Sequence, residues 1–185
     1  SFHVTGVQTC ALPILGHVDN LVDLSSLSAW TAQQFDPTLS WTDIGWIKNR
    51  FGGPVIVKGI LDAEDARLAV SHGADAIIVS NHGGRQLDSA PPTLAVLPEI
   101  ADAVNKDIPI LLDGGIRRGT DILKALALGA QAVLIGRPVL WALALGGQEG
   151  VEKMLSLLKA EFDLAMALAG CKRLEEITAD LVRSV

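Results

Sequence analysis

Four short runs of almost unbroken apolar and β-branched residues restrict the fold of this chain most. They are Pro54-Val55-Ile56-Val57-Lys58-Gly59, Ala76-Ile77-Ile78-Val79-Ser80-Asn81, Pro109-Ile110-Leu111-Leu112-Asp113-Gly114 and Ala132-Val133-Leu134-Ile135-Gly136-Arg137. None alternates apolar with polar residues. Such runs suit strands covered on both faces, and hence a parallel sheet under helices. Helical segments separate them. Residues 62–72 open with an Asp cap and stop at Gly73, residues 92–104 open with Pro, and residues 120–128 stop at Gly129. Ahead of the first run, Trp41, Ile44, Ile47 and Phe51 form a helical stripe that ends at Gly52-Gly53. A last helix is expected over 151–169, followed by a short turn at Leu174-Glu175-Glu176-Ile177. The chain reads α-β-α-β-α-β-α-β-α.

Tandem strand–helix units build a (β/α) barrel or a doubly wound sheet. The placement of polar residues favours the barrel. Lys58, Ser80, His82, Asp113, Gly136 and Arg137 sit at or just past the C-terminal ends of the runs, where barrel enzymes keep their sites. The glycine-rich ends are the last two, as in the usual barrel phosphate site. A whole barrel needs eight strands and about 250 residues, whereas this chain has 185. The expectation is an α/β fold comprising the C-terminal half, about strands five to eight, of a TIM (β/α)8 barrel. It is assigned to residues 41–185, after a loop or linker over 15–40.

Residues 4–14 have neither helical nor strand periodicity and look like the translation of a sequencing-library adapter. Residues 1–14 are therefore expected to be a non-native leader, with the natural sequence starting near Leu15 and cut off upstream. His3 and Cys10 would then carry no function. Fifteen Lys and Arg against 21 Asp and Glu leave a net charge of −6. That disfavours nucleic acid as a partner and provides no basic stripe for a membrane surface. Cys10 and Cys171 lack metal-ligand spacing, so no metal is expected and both read as unpaired thiols. No apolar run approaches the ~20 residues of a membrane span. A cytoplasmic location is the expectation, with a peripheral place at the inner membrane as its variant.

Two turns carry glycines where a strand passes into a helix. Asp113-Gly114-Gly115-Ile116-Arg117-Arg118-Gly119 lets the backbone approach a phosphate, and helix-start N–H groups favour an anion. Gly136-Arg137-Pro138 repeats the arrangement one unit later, with Arg137 able to fork onto phosphate oxygens. On adjacent strands the two turns would grip one phosphate together. His82 follows the second run and is flanked by Asn81 and two glycines. Histidine is the usual general base near neutral pH. Arg85, three positions on, can clamp a carboxylate in bidentate fashion. Base and clamp so close together point to a small carboxylate substrate attacked at its α-carbon. Lys58 ends a buried run, where a cation faces a cofactor or substrate anion. His72 is assigned no function, and His17 lies in the leader region. Trp41, Trp46 and Trp141 read as packing, with Trp30 as a substrate-loop candidate.

The nonapeptide Ser80-Asn81-His82-Gly83-Gly84-Arg85-Gln86-Leu87-Asp88 resembles the active-site signature of the FMN-dependent α-hydroxy-acid dehydrogenases and oxidases. The likeness extends through Val57-Lys58-Gly59-Ile60-Leu61, the 113–119 turn and Ile135-Gly136-Arg137-Pro138. The resemblance implies oxidation of an L-2-hydroxy acid, lactate- or glycolate-like, to the 2-oxo acid with FMN as cofactor. It implies His82 as the base and Arg85 as the partner of the substrate carboxylate. It places Lys58 at the flavin N1/O2 edge, Ser80 on the flavin, and Asp113 on the ribityl hydroxyls. Gly114, Gly115, Ile116 and Arg117 would run along the FMN, and Gly136 and Arg137 would hold its phosphate. The electron acceptor would be oxygen, a quinone or a cytochrome, and the assembly a homotetramer.

The departures from the family pattern are as specific. Its N-terminal barrel half, with substrate tyrosines, a second substrate arginine and an acidic partner for the base, has no counterpart here, and the chain contains no tyrosine. A truncated, inactive piece of such an enzyme is therefore the alternative expectation. Another phosphate-binding barrel is a second alternative, of the type 2 isopentenyl-diphosphate isomerase or IMP dehydrogenase kind.

Overall fold

The computed structural model describes residue 36 and residues 38–183. The leader expected over 1–14, most of the 15–40 segment, His17 and Trp30 lie outside the described residues. Four β/α units follow one another. Helix α1 (Asp43–Phe51) leads into strand β1 (Ile56–Ile60) and helix α2 (Ala63–Ser71). Strand β2 (Ala76–Ser80) is followed by a 3-10 turn (His82–Gly84) and helix α3 (Thr93–Val104). Strand β3 (Ile110–Asp113) precedes helix α4 (Gly119–Ala127), and strand β4 (Ala132–Leu134) precedes helix α5 (Arg137–Leu168). Two 3-10 turns, Leu174–Glu176 and Ala179–Leu181, follow.

The strands are parallel and lie in the order β1-β2-β3-β4. A doubly wound sheet reverses its order at a switch point, whereas a barrel adds each strand beside the last. The sequential order is that of a barrel segment. Every residue of β2 is buried, and β3 alternates buried and half-buried positions. The outer strands depart from the expectation of two covered faces. Ile56 of β1 is 47 % exposed, and Ala132 of β4 is exposed. Both belong to edge strands, so neighbours cover them on one side only.

Polar side chains secure the N-terminal ends of the strands. Asp75 accepts the Val55 amide at 2.8 Å and the Lys48 ammonium at 2.7 Å, joining α1 to the entry of β1 and β2. Gln131 accepts the Ile110 amide at 2.6 Å and donates its own backbone amide to the Ile110 carbonyl at 2.8 Å. The core lies between sheet and helices, around Ile60, Ile77, Val79, Leu97, Ile100 and Leu112. Truncating one such side chain to Ala costs about 2–5 kcal/mol.

Local signals explain most boundaries. Asp62 accepts the Glu64 amide at 2.8 Å and caps α2. Gly52, at φ 71°, closes α1. Pro98 sits inside α3, but on its exposed side, where the missing N–H is least costly.

One stretch departs from the reading of the sequence. The fourth run ends as a strand at Leu134, and helix begins at Arg137 rather than at 151. Pro138 suits a helix start, since the first turn needs no N–H there. Gly146 and Gly147 leave helical geometry, Gly147 at φ 56°, and bend α5. Those two glycines gave the sequence the look of a gap.

Candidate active site

The chemistry-bearing residues converge at the C-terminal ends of the strands. Register places Ser80 opposite Asp113 on β2 and β3, with Lys58 opposite Ile78 on β1. The Ser80 hydroxyl is fully buried and donates to Asp113 Oδ2 at 2.7 Å. It accepts from Lys58 Nζ at 3.0 Å and from the His82 backbone amide at 3.1 Å. A hydroxyl has one proton and two lone pairs, so Ser80 is saturated by the protein itself. Lys58 Nζ also pairs with Asp113 Oδ2 at 2.9 Å. These contacts of the Asp113 carboxylate both fall on Oδ2, and Oδ1 has no partner among the described residues.

His82 sits on the turn after β2 in left-handed backbone geometry, at φ 55°. Gly83 and Gly84 follow at φ 66° and 72°. Non-glycine residues in this region are strained, and such strain clusters at functional sites. Asn81 steadies the turn, accepting the Gly83 amide at 3.0 Å and donating to the Pro91 carbonyl at 3.2 Å. Burial pushes the His82 imidazole below its usual range, the Lys58 cation adds to the effect, and Asp113 opposes it. The shift favours the neutral ring, the form a general base requires. Arg85 ends the same turn, exposed, with no hydrogen bond or ion pair to its guanidinium among the described residues.

The two glycine turns differ in how their helix starts are satisfied. Asp121 accepts the amides of Arg117 at 3.0 Å and Arg118 at 2.9 Å. Glu161 accepts the Gly119 amide at 3.0 Å. The start of α4 is therefore neutralised by the chain's own carboxylates. The start of α5 carries no side-chain cap at Gly136. Its first residue, Arg137, donates through Nη2 to the Gly83 carbonyl, joining the fourth turn to the one that bears His82. Gly115, at φ 81°, opens onto free space, as does Gly136. The Ile116 side chain is buried in the core, so only its backbone remains for a ligand.

Sequence reasoning missed several contributors. Trp141 does not pack inside, being 50 % exposed, and the Arg117 guanidinium lies 5.7 Å from its ring centroid. Trp46 is likewise exposed, whereas Trp41 packs against the core. Thr93 is buried and donates to the Gly114 carbonyl at 3.3 Å. The spacing between Arg117 and Trp141 carries no sequence signal, because the two meet only through adjacent β/α turns.

An FMN fits this arrangement on the donor set alone. An uncapped helix start with an arginine suits a phosphate dianion. A carboxylate with a free oxygen suits polyol hydroxyls, and a lysine suits an electron-rich heterocycle edge.

Comparison with known proteins agrees. A family model described as FMN-dependent dehydrogenase matches residues 8–184. The chain is 54 % identical over 164 residues to 2-hydroxyacid oxidase 1 of Mus musculus, covering 89 % of this chain and 44 % of that protein. It is 59 % identical over 153 residues to an L-lactate oxidase of a Nostoc species, covering 83 % and 42 %. A crystal structure of mandelate oxidase superposes with a TM-score of 0.78 at 51 % identity, covering 83 % of this chain and 44 % of that one. The chain thus spans under half the length of these relatives, in keeping with half of a TIM barrel. The other phosphate-binding barrels weighed above give way to this match, and the chain belongs to the FMN-dependent dehydrogenase family.

Proposed function

We propose that this chain supplies the FMN- and substrate-facing half of an oxidoreductase that converts an L-2-hydroxy acid to the 2-oxo acid. The observation that carries the reading is His82 and Arg85 held on one turn, Arg85 with no side-chain partner among the described residues, beside the Lys58–Ser80–Asp113 cluster. FMN, when bound, supplies a two-electron acceptor. Gly136 and Arg137 would hold its phosphate, Asp113 would take its ribityl hydroxyls, and the backbone of Gly114, Gly115 and Ile116 would line its path. Arg117, stacked near Trp141, would lie along the same cofactor. Lys58 presents a cation to the edge that gains negative charge, a preorganised electrostatic effect. The Ser80 hydroxyl reaches the flavin only if Asp113, Lys58 or His82 gives it up, so its main part is to orient those three.

Arg85 pairs with the substrate carboxylate and fixes the α-carbon. His82 accepts the hydroxyl proton. Relatives named as oxidases of hydroxy acids favour oxygen over a quinone or cytochrome as the final acceptor. The experiment is an FMN titration of the purified chain, read by quenching of flavin fluorescence, followed by oxygen-consumption assays with L-lactate and glycolate. FMN fluorescence that stays unquenched overturns the cofactor assignment. His82→Gln is expected to abolish turnover with FMN still bound. Span and strand number favour a second reading, in which the 185-residue chain binds FMN but needs the complementary half-barrel to turn over. FMN binding without substrate oxidation is its expected result.

A further inference from the structure

We propose that Gly59 is a positioning residue for the His82 imidazole, a role that rests on His82 being the base. Strand β1 does not run regularly past β2. Lys58 pairs with Ile78 and Ile60 with Val79, so Gly59 is the extra residue of a bulge. Its φ of 105° lies where L side chains are strained. The bulge does more than bend the strand. A Cβ at Gly59 would lie 2.8 Å from His82 Cε1, 3.6 Å from Nε2 and 3.8 Å from Nδ1. The imidazole edge thus rests on the one position of β1 that lacks a side chain.

The turn makes the same contact from the other side. His82 at φ 55° and the Ser80 hydroxyl on its amide at 3.1 Å direct the chain after β2 back toward β1. The ring therefore meets the strand that carries Lys58, one residue from it. Gly59 supplies both the space and the contact that fix where the base stands relative to that cation. A methyl group here would drive the ring away, since a 2.8 Å approach is far inside carbon–carbon contact.

The test is a double-mutant cycle on the full 185-residue chain. Gly59→Ala, His82→Ala and the double variant are compared by urea unfolding. If the methyl strikes the ring, Gly59→Ala costs clearly less in the His82→Ala background. Gly73→Ala is the control, because Gly73 has φ 84° but open space around its Cβ. Its cost is expected to be the same in both backgrounds. An equal cost of Gly59→Ala in both backgrounds overturns the proposal.

A spectroscopic readout needs no Gly59 variant to fold. The wild-type chain is expected to show a nuclear Overhauser contact between Gly59 Hα and His82 Hε1, assigned by its loss in His82→Gln. Its absence also overturns the proposal. Where Gly59→Ala folds, the His82 Hε1 resonance moves. None of these measurements reads turnover. Coupling without any effect of His82→Gln on turnover discredits the base and spares the contact. Loss of turnover without coupling does the reverse.

Discussion

Lys58 on β1 and Asp113 on β3 are joined across β2, Nζ to Oδ2 at 2.9 Å, with the Ser80 hydroxyl between them. That hydroxyl also holds the His82 amide, so one buried oxygen connects three of the four turns at the sheet's C-terminal end. Ser80→Ala leaves Lys58, Asp113 and the His82 N–H each short of a partner. The expected loss is about 1–3 kcal/mol of unfolding free energy. The measurement is the urea midpoint at constant m. A midpoint equal to wild type refutes the linkage.

The pH response follows from His82. Its ordinary titration value is 6.5, and burial first, then Lys58, hold it lower in the fold. Between the two values the unfolded chain binds more protons than the folded one. Stability therefore rises with pH across that window and levels off above 6.5. Thermal melts at pH 5.5 and 7.5 should differ, and His82→Gln should shrink the difference. The lowered carboxylates Asp75 and Glu176 titrate below this range, from ordinary values of 3.8 and 4.5, so they do not obscure it. A gap unchanged by His82→Gln counts against the depressed histidine.

How much of this was legible in the sequence depends on how local each cause is. The strands declared themselves because unbroken Val, Ile and Leu runs have few other uses, and the Asp62 cap needs only its neighbours. The turn from Ser80 to Asp88 was legible because its residue types share one stretch of chain. The bulge at Gly59 was not, since in sequence it reads only as the end of a run. Nor was the Glu161 carboxylate on the Gly119 amide, which arrives from α5. The start of α5 was obscured by Gly146 and Gly147, which break its periodicity without ending the helix.

On the proposed assignment, Arg137 serves the cofactor's phosphate rather than its ring system. It starts an uncapped helix and also holds the Gly83 carbonyl. Arg137→Ala should weaken FMN binding by about ten- to a hundredfold, the worth of a hydrogen bond to a charged group. Riboflavin, which lacks the phosphate, should lose much less. Parallel fluorescence titrations with the two flavins make the comparison. Equal losses for both would move Arg137's role from the phosphate to the turn.

The docking of α5 against α4 gives the last expectation. Glu161 accepts the Gly119 amide at 3.0 Å and pairs with Arg118 Nη2 at 3.0 Å. A Cβ on Gly119 would strike the backbone at Glu161 and Phe162, so the two helices touch there with no room for a side chain. Backbone cannot yield as a flexible side chain can, and Gly119→Ala must push α5 outward. Overpacking of this kind costs about 1–3 kcal/mol, and in a chain of this size each kcal/mol lowers Tm by roughly 2–4 °C. Glu161→Gln keeps the volume but loses the charge on an exposed pair, so its effect should be smaller. Calorimetry of both variants tests the order. A Gly119→Ala melt at the wild-type temperature contradicts the close approach, and with it the packing that fixes the turn ahead of α4.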